Sequence, residues 1–227
     1  MGNQKVTLVK RDTIFFLIWR VVLILGLVAA ILDQARIFDG EFNWKTFCSF
    51  TTLCTGYVML ITLLDTLKVC SANEKASLWL SRFRSLGVMI ALMTGLIFHF
   101  ILTPHEVFGD FQHLVFRYGN IVTHYVGPAC IFIDWLLFDV KGRIGKWEPF
   151  VYISLPAAYL LLSLIYGYLG LPIPGRETSF TYDFMDWEVL GVAAVIKWLA
   201  ALLVGLLTLA YLIYFIDKAL AKRSRNK

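Results

Sequence analysis

Runs of about 20 apolar residues alternate with short polar segments along the whole chain. A run of this length crosses the ~30 Å hydrocarbon core of a bilayer as an α-helix. The pattern predicts an all-α polytopic membrane protein: one domain, residues 1–227, with six transmembrane helices in one bundle. The predicted spans are 13–33, 46–66, 84–103, 114–138, 149–169 and 189–216. Most connecting loops are short, which predicts that consecutive helices are antiparallel neighbours.

The stretch 111–139 is apolar enough to span a membrane yet carries several polar residues. At ~100° per residue, Arg117, Asn120 and His124 fall near one stripe of a helix. A charge at mid-membrane costs about 2.5–3.5 kcal/mol, so this stripe should face the bundle interior. We expect the other helices to pack around this one. Asp134 lies ~15 Å further along the axis, too far from His124 to orient it directly.

Composition and charge agree with a membrane protein. Hydrophobic residues make up 59% of the chain and charged residues only 16%, compared with ~25% charged residues in soluble domains. Lysine and arginine gather at both termini and in the loops after the second and fourth spans. This asymmetry predicts cytoplasmic termini. The net charge of +5 therefore reflects membrane topology, and no nucleic-acid partner is predicted.

Single charges inside other predicted spans need partners. Arg20 in the first span should face the interior and pair with Asp65 or Asp134. Lys197 in the sixth span should likewise face the interior, against a carboxylate, a carbonyl cluster or a bound anion. Pro156 should kink the fifth span. The loop after that span, residues 170–188, is rich in aromatic and acidic residues and is a candidate lid. Interfacial anchoring by Tyr182, Phe184 and Trp187 is an equal alternative.

No metal site or other cofactor is predicted. The chain has four histidines, but no i, i+4 pair and no HExxH motif presets them as ligands; they are His99, His105, His113 and His124. The four cysteines have neither CxxC nor metal-binding spacing and are predicted to act as small hydrophobic residues. They are Cys48, Cys54, Cys70 and Cys130.

Several short fragments occur together in a distinctive order. They are Phe50-Thr51, 94–99 (TGLIFH), 124–128 (HYVGP), 133–138 (IDWLLF), 156–159 (PAAY), Gly167 and 182–186 (YDFMD). This order resembles bacterial six-span membrane proteins of the Pr6Pr type, and more distantly the animal androgen-induced protein family. The chain departs from the bacterial pattern at Cys54 and Thr55, where a Ser-Asn pair is usual, and at Asp183, where proline is usual.

The resemblance implies an intramembrane hydrolase in a bacterial cell membrane. Members of the animal family use a threonine nucleophile and a histidine to cleave fatty acid esters of hydroxy fatty acids. The nucleophile would be Thr51, with Thr52 as the alternative, and the base would be His124. Asp134 occupies the place of an acidic residue in the animal proteins. The implied partner is therefore a membrane lipid or fatty-acyl ester.

The chemistry sets further expectations. A threonine hydroxyl needs a base within hydrogen-bond reach, and His99 remains an alternative to His124. Arg117, Asn120 and Lys197 are candidate donors to the oxyanion or to a substrate carboxylate. Two other functions stay open. One is a small transporter or a lipid- or anion-binding protein that uses the buried charges. The other is a scaffold without catalytic activity.

Overall fold

A computed structural model describes residues 13–70, 78–103, 117–173 and 178–225. Six long helices form one bundle, and each is long and apolar enough to cross a membrane, as predicted. They are α1 (Thr13–Gln34), α2 (Phe50–Cys70), α3 (Leu78–Ile97, continued by a π-helical turn over Phe98–Leu102), α4 (Tyr118–Ile121, the π-helical turn Val122–Val126, then Gly127–Phe138), α5 (Glu148–Tyr168) and α6 (Val192–Arg225).

Helices α2, α3 and α6 differ from their predicted bounds by several residues, and α3 begins at Leu78 rather than 84. Helix α2 begins at Phe50 rather than 46, because Trp44–Cys48 forms a 3-10 turn. Ser49 then starts the helix: its Oγ accepts a hydrogen bond from the Thr52 amide at 3.2 Å. Helix α6 has 34 residues, or roughly 50 Å at 1.5 Å per residue, so it extends well beyond the hydrocarbon core.

The central helix of the bundle is α3, and the prediction that the others pack around α4 is wrong. Helix α3 packs on α2, α4, α5 and α6, whereas α4 packs on α1, α2 and α3. Accordingly, 56% of the apolar stretch of α3 is buried, compared with 44% for α4. Helices α4 and α5 follow each other in sequence but do not pack side by side, in contrast to the expectation for a short loop.

The two ends of the bundle carry different chemistry. We call the end that holds the α4–α5 loop the basic end, since Lys141, Arg143 and Lys146 lie there. The opposite end, with the turn after α1 and the loop 178–190, is the acidic end. Between them the bundle surface is apolar, with Val22, Leu25 and Val204 among its most exposed side chains, as expected for a surface in contact with lipid.

Close packing at the acidic end depends on one glycine. A Cβ on Gly167 of α5 would lie 2.2 Å from the ring of Phe180 in the loop 178–190. Phe180, Phe184 and Met185 are buried, and they attach this loop to the bundle. The loop therefore covers the acidic end, consistent with the predicted lid. Helix α5 continues through Pro156 without interruption.

Candidate functional site

A cavity of about 840 Å³ opens at the acidic end, which we call the vestibule. This volume lies within the ~300–1,000 Å³ typical of ligand sites. The turn before α2, helix α5 and the loop 178–190 enclose it. Its lining is mostly apolar but includes several hydroxyl groups, one lysine and two aspartates; these residues are Lys45, Ser49, Tyr159, Ser163, Tyr166, Thr178, Thr181, Tyr182, Asp183 and Asp186. The side chain of Lys45 forms no ion pair with any residue that the structure describes.

A small apolar pocket of about 40 Å³, lined by Thr51, lies beside the vestibule. Tyr159, Tyr182 and Phe184 line both spaces, so these side chains form a wall that the two share. Thr94 of α3 also lines the pocket. The predicted nucleophile therefore lies in a small apolar pocket next to a large cavity.

Thr51 and Thr52 have different environments. The hydroxyl of Thr52 is buried, donates to Oε1 of Gln34 at 3.0 Å and accepts from Ser49 Oγ at 2.9 Å. The hydroxyl of Thr51 makes no hydrogen bond to any described residue. Thr52 thus has a structural role between α1 and α2, and Thr51 is the threonine whose hydroxyl remains available in the pocket.

Gln34 connects this pair to the helix of the predicted base. Its Nε2 donates to Thr123 Oγ1 at 3.0 Å and to Asn120 Oδ1 at 3.4 Å. Asn120 therefore belongs to a polar network that joins α1, α2 and α4, and it does not line the Thr51 pocket. Gln34 was not identified from the sequence. Its position at the end of an apolar run resembles that of an ordinary interfacial residue.

His124 is buried, with 6% of its surface exposed. Its ring stacks on Phe98 with centroids 3.8 Å apart, and its Nδ1 lies 3.4 Å from the carbonyl oxygen of Thr94. A carbonyl can only accept, so this contact places the proton on Nδ1 and leaves Nε2 as the basic nitrogen. Thr94 thus contacts His124 and also lines the Thr51 pocket.

No hydrogen bond joins Thr51 and His124 among the contacts of the described residues. Thr51 lies on α2 and His124 on α4, and Thr94 of α3 lines the Thr51 pocket and contacts His124. Both His124 and Phe98 belong to π-helical turns that face each other. Isolated π-helical turns are rare and occur frequently at functional sites. A Cβ on Gly95 would lie only 2.5 Å from the carbonyl oxygen of His124, so only glycine permits this approach of α3 and α4.

His99, the alternative base, is exposed. Its Nδ1 lies 3.3 Å from the hydroxyl of Tyr125. Neither His99 nor His124 lines the Thr51 pocket, but His124 contacts Thr94, which does line it. His105 and His113 lie outside the described residues. Within the described ranges, no three His, Cys, Asp or Glu residues come close enough to hold a metal ion.

The two predicted cations do not contribute to the pocket. Arg117 lies at the start of α4, where it donates to Asp33 at 2.9 Å and to Asp39 at 2.8 Å. The prediction that Lys197 faces the bundle interior is wrong, because its side chain is exposed on α6. It lies ~200° round the helix from the buried Val195, on the opposite face. Among the described residues, Lys45 is the cation that lines the vestibule.

Asp134 belongs to a buried ion cluster towards the basic end, away from the Thr51 pocket. It accepts from Arg20 Nε at 3.0 Å and from Arg84 Nη2. Arg20 also contacts Asp65 at 2.6 Å, which confirms the predicted pairing of Arg20 with these aspartates. Asp139 completes the cluster, at 3.1 Å from Arg84. Asp134 therefore stabilises the packing between helices, and it is not close enough to His124 to orient its ring.

The chain matches no known protein family, no curated protein and no solved structure.

Proposed function

We propose that this protein is an intramembrane lipid-ester hydrolase in which Thr51 is the nucleophile and His124 the general base. The observation that carries the proposal is the position of Thr51. Thr51 lines an apolar pocket beside the vestibule, and its hydroxyl has no partner among the described residues. An unpaired alcohol in an apolar pocket next to a large cavity is suited to attack on an acyl ester.

His124 would act through Nε2, since Nδ1 contacts the carbonyl oxygen of Thr94. Catalytic hydrogen bonds are often long in the free enzyme and tighten when substrate binds. The proposal therefore requires that α4 brings its π-helical turn, Val122–Val126, closer to Thr51 in the substrate complex. The reciprocal turn on α3 would move with it, because Phe98 stacks on the His124 ring.

The reaction would proceed in two steps. In the first, Thr51 Oγ forms a bond to the acyl carbon while its proton passes to His124 Nε2; the ester C–O bond then breaks, and the leaving alcohol takes that proton. In the second, His124 removes a proton from water, and the resulting hydroxide attacks the acyl-threonine ester. The bond between the acyl carbon and Thr51 Oγ then breaks, Thr51 Oγ takes the proton from His124 Nε2, and the carboxylic acid is released.

Tyr182 would stabilise the negative oxygen that forms in both steps. It lines the pocket with Thr51. Burial raises the pKa of Tyr182 well above its usual value, so the phenol stays protonated and can donate a hydrogen bond. Lys45 would attract the polar end of the substrate into the vestibule. We assign the acidic end to the external leaflet, on the basis of the distribution of lysine and arginine.

A lipid-binding or transport protein without catalytic activity is the second candidate. The observation in its favour is the missing hydrogen bond between Thr51 and His124 among the described contacts. A cavity lined mainly by apolar and hydroxyl-bearing side chains would serve binding alone equally well.

Labelling with a fluorophosphonate probe distinguishes the two candidates. Adjacent isosteric variants, Thr51→Val and Thr52→Val, each lose one hydroxyl and keep the side-chain shape. We expect Thr51→Val to abolish labelling and Thr52→Val to retain it. His124→Gln should slow labelling by about 10²–10⁴-fold, the usual contribution of a general base. Equal labelling of wild type, Thr51→Val and His124→Gln would exclude the hydrolase and favour the binding protein.

A further inference from the structure

A second apolar space lies beside the Thr51 pocket, as a groove of about 220 Å³ between α3 and α6. Met93, Ile97, Leu202 and Leu206 line both the groove and the pocket. These side chains separate the groove from the pocket, and Ile101 and Trp198 line both the groove and the vestibule. No charged residue lines it among those that the structure describes, and the exposed residues of its mouth lie on the apolar, lipid-facing surface of the bundle.

The dimensions of the groove match one leaflet of a bilayer. Along α6 it extends from Trp198 to Leu209, which is roughly 16 Å at 1.5 Å per residue. One leaflet contributes about half of the ~30 Å hydrocarbon core. Trp198 marks the end of the groove nearer the acidic end, and tryptophan is typical of the membrane interface. The groove therefore runs over the depth at which lipid acyl chains lie.

We infer that the groove between α3 and α6 binds the acyl chain of a membrane lipid, which enters sideways from the bilayer. The role of the bound chain rests on the proposed function. A chain in the groove would place its ester next to Thr51 and its polar end in the vestibule. An acyl chain fits better than a polar ligand or a protein helix, because the space is narrow, apolar and in contact with hydrocarbon.

Gly205 provides the means to test the groove. It lines the groove, and a Cβ built on it meets no atom within 4 Å. Gly205→Leu should therefore fold normally while its side chain fills the space. A Cβ at Gly56 on α2 would likewise have no atom within 4 Å, and Gly56 does not line the groove, so Gly56→Leu is the matched control.

The experiment is photo-crosslinking of the full chain in phosphatidylcholine vesicles, with a palmitic acid analogue that carries a diazirine near its terminal methyl and an alkyne. All variants carry Thr51→Ala, so that the readout is binding without turnover. We expect crosslinks to map to groove residues such as Leu96, Phe100 and Ala201. Gly205→Leu should lower labelling by about tenfold, the loss expected when roughly two buried methylene groups are excluded, and Gly56→Leu should leave it unchanged.

Equal crosslinking in the two leucine variants, or crosslinks spread over the whole lipid-facing surface, would overturn the inference. If Gly205→Leu does not purify as a monodisperse species, the crosslink map of the parent protein and the smaller variant Gly205→Ala decide the outcome. Groove crosslinks without fluorophosphonate labelling of Thr51 would leave a lipid-binding groove and refute the hydrolase. Fluorophosphonate labelling of Thr51 without groove crosslinks would support the hydrolase and overturn the lipid-binding groove.

Discussion

Replacing Arg20 by methionine should destabilise the bundle strongly. Arg20 is fully buried and contacts Asp65 at 2.6 Å, Asp134 at 3.0 Å and Asp139 at 3.5 Å. With Arg84 it balances these three aspartates, so the five side chains carry one net negative charge. Methionine preserves the apolar stem but leaves one arginine against three carboxylates, of which Asp134 is fully buried.

The size of the effect follows from burial. Removing one partner of a buried ion pair costs about 3–5 kcal/mol, because the remaining charge is left uncompensated. Asp65→Asn should cost about 1 kcal/mol or less, since the Asp65 side chain is 17% exposed and its loss leaves two arginines facing two aspartates. Arg20→Lys should fall between them, because one ammonium cannot replace a planar fork with three carboxylate contacts.

The free energy of unfolding can be measured by SDS titration of the purified protein in mixed micelles, followed by tryptophan fluorescence. We expect the order of stability to be wild type, Asp65→Asn, Arg20→Lys and then Arg20→Met. If Arg20→Met is no less stable than Asp65→Asn, the view that the cluster is held by buried charge compensation is wrong.

Two other predictions concern packing and a buried lysine. Gly95→Ala places a Cβ against the backbone carbonyl of His124, so it should lower the free energy of unfolding by about 1–3 kcal/mol. Gly56→Ala adds a Cβ in open space and should be neutral or stabilising. The same SDS titration measures both variants. Burial lowers the pKa of Lys141 from 10.5 to about 8. The unfolded chain therefore binds more protons between these pH values, and Lys141 should make stability rise across that window. Lys141→Met should lack this part of the pH dependence in thermal unfolding curves, and an identical dependence in both proteins would contradict the lowered pKa.

The number and order of the helices could be predicted because the length of an apolar run is sufficient evidence for a membrane span. The pairing of Arg20 was predictable for a related reason, since charges within hydrocarbon need partners at a similar depth. The first residue of α2 was harder to predict from the sequence. Whether Trp44–Cys48 continues the helix or forms a 3-10 turn depends on the local hydrogen bonds of Ser49.

The orientation of individual residues was harder to predict. The π-helical turn Val122–Val126 shifts the register of α4, so a helical wheel drawn through the whole span does not apply across it. Such turns have no side-chain pattern of their own. Lys197 was misplaced because a helix at the edge of a bundle buries only one face, and the sequence does not say which helix lies at the edge. The availability of Thr51 rather than Thr52 depends on Gln34, a contact between distant parts of the chain.

The proposal that Thr51 is a catalytic nucleophile is tested most directly by locating the covalent adduct. Wild-type protein is incubated with the fluorophosphonate in vesicles, digested and examined by tandem mass spectrometry. The account predicts a phosphonylated residue at Thr51 and none at Thr52. An adduct at another residue, or an unmodified Thr51 in protein shown to be folded, would contradict it.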